Sequence, residues 1–362
     1  MKKKWIVIPS LVLTLCCAIY SIDIWIPFIQ RNMPKPEIVI DKPTRKEVVE
    51  TLITKLNEHY VFPDKAKQID TLLRQHLKDG RYDRITDGLQ FAHQLTIDLH
   101  GVTRDLHMAV RSSATPVPYD RDIPPPPASK AEWERRTPFS RRMLLELGLL
   151  MGKVGTPDVD HLDHNIGYLK LTDFPPDFIM AERYATVMDE LADTDRLIID
   201  LRDHRGGSPQ TVALLVSYFV DERTRVNDLW DRTTGATIQQ WTVDRLEGKR
   251  YGSRKPVVIL VSRETMSAGE DFAYTMQALR RATIVGEETW GGAHPTRGFR
   301  LSDHFAAAIP SRRSISPITG SNWEGVGVIP DIATAPDNAM AVAEDVLLRR
   351  LQKPAVLAAA GH

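Results

Sequence analysis

The feature that most constrains this chain is an alternation of strand-like and helix-like stretches that begins at Asn165. IGYLKL is a strand pattern, ERYATVMDEL a helix, RLIIDLR a continuous apolar strand and TVALLVSYFV a helix. PVVILVS is again a strand, FAYTMQALRR a helix and ATIVGE a strand. Short apolar runs separated by helices predict βαβ units with right-handed crossovers and a mostly parallel sheet. The fold class is therefore α/β, and ligands of such sheets collect at the carboxyl ends of the strands. Two of those ends carry chemistry: PVVILVS runs into Ser267, and RLIIDLR runs into Gly206 and Gly207.

Taken alone, each end has an ordinary use. Ser267-Ala268-Gly269-Glu270 reads S-x-x-E, the capping box that satisfies free amides in the first turn of a helix. On these residues a cap is the commoner use and a nucleophile the rarer. Gly206 and Gly207 make a plain turn, or a loop whose amides face a ligand. They are not a phosphate loop, because the G-x-x-x-x-G-K-[ST] spacing and its lysine are missing.

Upstream, VVETLITKLNEHYVF, AKQIDTLLRQHLKDG and ITDGLQFAHQLTIDLHG have apolar residues at i, i+3 and i+4, each followed by a turn signal. They predict a small helical domain over 44–112. Residues 113–164 then form a linker or surface excursion, extended around the proline run Pro124 to Pro127. Within it, FSRRMLLELGLLMGKVG fits a helix or a hairpin equally well. The α/β domain is expected over 165–352.

The first residues read differently. Met1-Lys2-Lys3-Lys4 precedes an apolar run from Trp5 to Ile26, interrupted by Pro9 and Asp23. That is long enough for a spanning helix of about 20 residues, with the lysines on the cytoplasmic side. Residues 1–30 are expected to be a membrane anchor, which leaves the body outside the cytoplasm, periplasmic or extracellular. Tyr20 spoils the small-residue pattern of a cleavage site, so secretion after signal cleavage is the alternative. Both cysteines, Cys16 and Cys17, lie in this run, which excludes a thiol nucleophile or thiolate zinc site in the body. The 47 basic residues equal the 47 acidic ones, so no global field points to nucleic acid. The cluster His161, His164, Asp160 and Asp163 reads as a solvated turn rather than a metal site, and no cofactor is expected.

Seven stretches occur together in one order: NEHYVFPDKA, DLHGVTRDLHMAV, NIGYLKLTDF, LIIDLRDHRGG, SRETMSAGEDFAY, RRATIVGEETWGGAHP and NWEGVGVIPDI. In this set the chain resembles the S41 family of serine peptidases, which includes tail-specific and carboxyl-terminal processing proteases and their tricorn-like and retinoid-binding relatives. The resemblance implies a crotonase-type (ClpP-like) core sheet behind the helical bundle, and hydrolysis of polypeptides that are unfolded or offered by a chain end. It implies Ser267 as nucleophile, His107 as base and Glu324 as the acidic member. Ala268 with Gly206 or Gly207 would form the oxyanion hole, and Thr103 is a candidate intervening hydroxyl. Where processing proteases with a serine/lysine dyad carry a lysine, this chain has TWGGAHP, so it looks like the histidine-using branch; His294 in that segment is the rival base. No PDZ-like segment is visible between bundle and core. A serine needs an imidazole to take its proton, and a carboxylate to orient that imidazole, before it attacks at neutral pH. Two other functions remain open: a non-catalytic binder of apolar ligands on the same fold, and a small-molecule esterase or amidase.

Overall fold

The computed structural model describes residues 38–117, 129–150 and 155–349. The expected membrane segment lies outside these residues, and among them no helix is long and apolar enough to cross a membrane. Helices α1 (Lys42–His59), α2 (Pro63–Lys78) and α3 (Gly88–Thr103) are followed by strand β1 (Ala109–Ser112). Asp41 and Asp87 cap α1 and α3 by accepting the Thr44 and Gln90 amides at 2.9 and 2.7 Å. Helices α4 (Lys130–Arg136) and α5 (Phe139–Leu150) come next; the ambiguous stretch at Phe139 is a helix, and its Phe139, Met143 and Leu144 are exposed.

The central unit runs β2 (Asp158–Leu162), β3 (Ile166–Lys170), α6 (Asp177–Leu191), β4 (Arg196–Asp200) and α7 (Pro209–Val216). It continues through β5 (Asp228–Asp231), β6 (Thr237–Ile238), β7 (Val257–Val261), α8 (Ala268–Ala278) and β8 (Thr283–Gly286). After β9 (Thr296–Ser302), β10 (Phe305–Pro310), β11 (Arg312–Ile315) and β12 (Ile332–Ala333), helix α9 (Ala339–Arg349) closes the described chain. The main sheet has the order β12-β8-β7-β4-β3-β2 and is parallel except where β2 meets β3. Residues 158–162, expected in the linker as part of a solvated turn, are that antiparallel edge strand; their His161 stays exposed, 3.7 Å from Glu190.

Every residue of β4 and β7 is buried, because alternate side chains enter opposite cores. Leu197, Ile199, Val257 and Ile259 pack with α6, α7 and α8, whereas Ile198, Val258 and Leu260 pack with α9. A central strand covered on both faces needs no polar alternation, so its sequence reads as one apolar run.

Two antiparallel sheets, β1-β10-β9 and β11-β5-β6, were not foreseen. The first changes the meaning of the helical domain. Phe299, Leu301, Phe305, Ala307 and Ile309 of the β9–β10 hairpin belong to the same core as α1, α2 and α3. The amino-terminal helices are thus finished by residues nearly 200 positions downstream, and 44–112 has no closed core of its own.

Candidate active site

Parallel pairing of β4 with β7 sets their carboxyl ends side by side. The loop after β4 carries Gly206 and Gly207; the turn after β7 carries Ser267. The two are stitched together: the Met266 amide donates to the His204 carbonyl at 2.8 Å, and Thr265 Oγ1 donates to the Leu201 carbonyl at 2.8 Å. An ideal Cβ on Gly206 would lie 2.9 Å from the Ser267 Cβ, so only glycine allows this approach.

Ser267 is not in the extended conformation of an ordinary cap. Its φ is 50° and ψ −114°, a strained setting for a non-glycine residue that costs about 1–3 kcal/mol. The Glu270 carboxylate holds it there. One Oε2 accepts from the Ser267 amide at 2.8 Å and the Gly292 amide at 3.1 Å; Oε1 accepts from Thr289 Oγ1 and the Gly291 amide, each at 2.6 Å. Burial pushes Glu270 up to about 7, and these four donors oppose that shift.

The oxyanion candidates divide. The Gly206 amide donates to Nδ1 of His204 at 3.0 Å, so it is spent inside the protein. Among the described residues, the amides of Gly207 and Ala268 have no hydrogen-bond partner. His204 is fully buried, burial drives its pKa to about 3, and its neutral ring is therefore a permanent acceptor for the loop.

His107 comes from the other core, on the turn between α3 and β1. It lines a cavity of about 560 Å³ together with Ser267, Ala268 and Gly207. Trp290 packs edge-on against its ring at 4.9 Å, and an ideal Cβ on Gly292 would fall 2.5 Å from its Cε1. Its Nδ1 is buried without a hydrogen-bond partner. Its pKa is lowered by burial and by His294, with Asp105 pulling the other way, which keeps the imidazole neutral and able to take a proton.

The acidic side is arranged differently from the expectation. Glu324 reaches His294, not His107: its Oε2 is 3.2 Å from His294 Nδ1 and accepts the Ala293 amide at 2.6 Å. The same His294 nitrogen is 3.2 Å from Oδ2 of Asp105, whose Oδ1 accepts the His107 amide at 3.2 Å. His294 is 1% exposed and stands behind His107. Thr103 does not bridge histidine and glutamate; its hydroxyl donates to the Leu99 carbonyl at 2.9 Å and accepts the Asp105 amide at 3.2 Å. Burial, then Asp105, push Glu324 up to about 8. Asp105, His294 and Glu324 are also the set among the described residues whose ligand atoms are close enough for a metal ion, within 4.8 Å.

Asp105, His204, Glu270 and Trp290 went unread as site residues. Asp105 stands two positions before His107 and His204 two before Gly206, but proximity in sequence gives no direction for a side chain.

Comparison with known proteins agrees with this architecture. The peptidase family S41 model matches residues 165–334, and a second model, the N-terminal domain of peptidase S41 in eukaryotic IRBP, matches 37–136. The chain belongs to peptidase family S41. It is 30% identical over 175 residues to carboxyl-terminal-processing peptidase 2, chloroplastic, of Arabidopsis thaliana, which covers 46% of this chain and 31% of that protein. Similar structures are the photosystem II D1 C-terminal processing protease (TM-score 0.50, 18% identity, 86% of this chain and 98% of that one) and the tricorn protease (TM-score 0.53, 14% identity, 85% and 37%). At those identities the likeness is one of fold. The chain spans well under half the length of each of the curated relatives it matches.

Proposed function

We propose that this protein is a serine peptidase that cleaves polypeptides through an acyl-enzyme. The observation that carries the reading is Ser267 at a strained strand-to-helix turn, opening on the same cavity as His107 and the unpartnered amides of Gly207 and Ala268. His107 takes the hydroxyl proton as Ser267 attacks the carbonyl carbon, then returns it to the leaving amine. The Gly207 and Ala268 amides receive the oxyanion at the start of α8, where the helix dipole adds to them. Asp105 favours the cation formed on His107, and Glu324 with His294 braces Asp105 from behind. No metal or organic cofactor enters these steps.

The substrate is an extended polypeptide or chain end outside the cytoplasm, and the run from Trp5 to Ile26 acts as the anchor that keeps the enzyme at a membrane. The test is fluorophosphonate labelling of the full chain with peptide mapping. Labelling at Ser267 that disappears in His107→Ala and is only slowed in His294→Ala supports the assignment. A folded wild-type protein that takes no label returns Ser267 to a helix cap and favours a binding role for the cavity.

A further inference from the structure

One part of the Ser267 cavity is lined by donors that are largely unspent among the described residues. Ser311, between β10 and β11, is fully buried, lines the cavity, and its hydroxyl has no hydrogen-bond partner. Arg312 of β11 and Arg297 of β9 line the same space. Arg312 donates through Nε to Asp231 at 2.8 Å, while Nη2 of Arg297 is 3.7 Å from that carboxylate, beyond hydrogen-bond range. A guanidinium carries five N–H donors, so most of those on the two arginines are unspent among the described residues. Two cations share one anion here, which leaves one net positive charge. Burial would raise Asp231, but Arg312 and the Thr233 and Thr234 amides outweigh it, so Asp231 stays ionised and cannot relieve that excess. Asp231 stands behind the two arginines and does not line the cavity; the acid among the lining residues is Asp271, whose Oδ1 already accepts from Asn227 Nδ2 at 2.5 Å and Thr275 Oγ1 at 3.3 Å.

We infer that Arg297, Arg312 and Ser311 form a subsite for a carboxylate of the substrate, which makes the enzyme selective for a peptide that presents one in this cavity. A planar carboxylate offers paired lone pairs to a guanidinium fork and accepts a hydroxyl proton besides; a neutral amide fills the space without the charge. In a polypeptide that group is an aspartate or glutamate side chain or the chain terminus. This inference rests on the peptidase reading and adds the class of substrate.

The test uses the full chain and internally quenched peptides in matched sets: glutamate against glutamine at each scanned position, and free acid against amide at the carboxyl terminus. A carboxylate at one position should raise kcat/KM about tenfold or more over its amide isostere. Arg297→Gln, and independently Ser311→Ala, should bring that ratio towards one. Loss of preference on terminal amidation assigns the group to the chain end, and loss on glutamate to glutamine assigns it to a side chain; either supports the subsite. Equal turnover of acids and amides, with Ser267 still labelled by fluorophosphonate, overturns the subsite and leaves the peptidase intact. Absence of both labelling and turnover sinks the peptidase reading and the subsite with it.

Discussion

The two sides of the cavity are built to different standards. On the serine side most groups are tied: Glu270 binds four donors, His204 holds the Gly206 amide through Nδ1, and close glycine contacts seat the loop against Ser267, while the Gly207 and Ala268 amides and His204 Nε2 are without partners among the described residues. On the base side His107 arrives from a separate core, touches Trp290, and keeps a buried nitrogen without a partner. An unpaired buried donor or acceptor costs about 1–3 kcal/mol, a demand that substrate or a small shift of the turn satisfies. The proposed nucleophile and oxyanion loop are therefore preorganised, while the proposed base is positioned by how the two cores fit together.

The comparison breaks first at the centre. Ser267→Ala should lower turnover by about 10⁴-fold or more and remove fluorophosphonate labelling, with the circular dichroism spectrum retained; residual turnover near wild type would move the chemistry elsewhere. His107→Ala should cost about 10²–10⁴-fold in kcat. Gly292→Ala should act on the same histidine from outside, since its new methyl lies 2.4 Å from Trp290 and 2.5 Å from His107. A loss of about tenfold is expected, measured beside Gly101→Ala, whose added methyl meets nothing within 4 Å. On the serine side, His204→Ala should lower kcat about tenfold with little change in KM, and His204→Asn should recover part of it by offering an acceptor to Gly206.

The smallest effect concerns pH. Burial and the neighbouring Asp105 raise Glu324 to about 8 from its ordinary 4.5, so the native state keeps a proton that the unfolded chain releases. Its contribution is complete below about 4.5 and is lost as pH rises through 8. Denaturation midpoints of Glu324→Gln should fall less across that window than those of wild type; parallel curves would refute the assignment. His107 shifts the other way, so the acid limb of kcat/KM should lie below pH 6.5.

The sheet was legible because β4 and β7 are buried on both faces, and nothing competes with their apolar pattern. Ser267, His107, Gly207 and Ala268 were legible only through the order of seven motifs, and the structure does bring them to one cavity. The hairpin β9–β10 was missed although Phe299 and Leu301, then Phe305, Ala307 and Ile309, alternate with the period of a strand. Its turn, Asp303-His304, lacks the glycine that marks a tight hairpin. The link from Glu324 to His294 rather than His107 was beyond sequence reasoning. It depends on a loop path that gives Glu324 the Ala293 amide, and side-chain direction in a loop follows no period.

The return of β9 and β10 to the amino-terminal helices sets an order of events during synthesis. The helices leave the ribosome first, yet their apolar faces stay partly uncovered until Pro310 has followed, because local helix formation cannot replace the distant strands. Ser267 is made before that hairpin, so the nascent chain carries its proposed nucleophile while β1, the strand after His107, still lacks its partner β10. The cavity is thus completed late, only once the hairpin has been made and has packed on the helices.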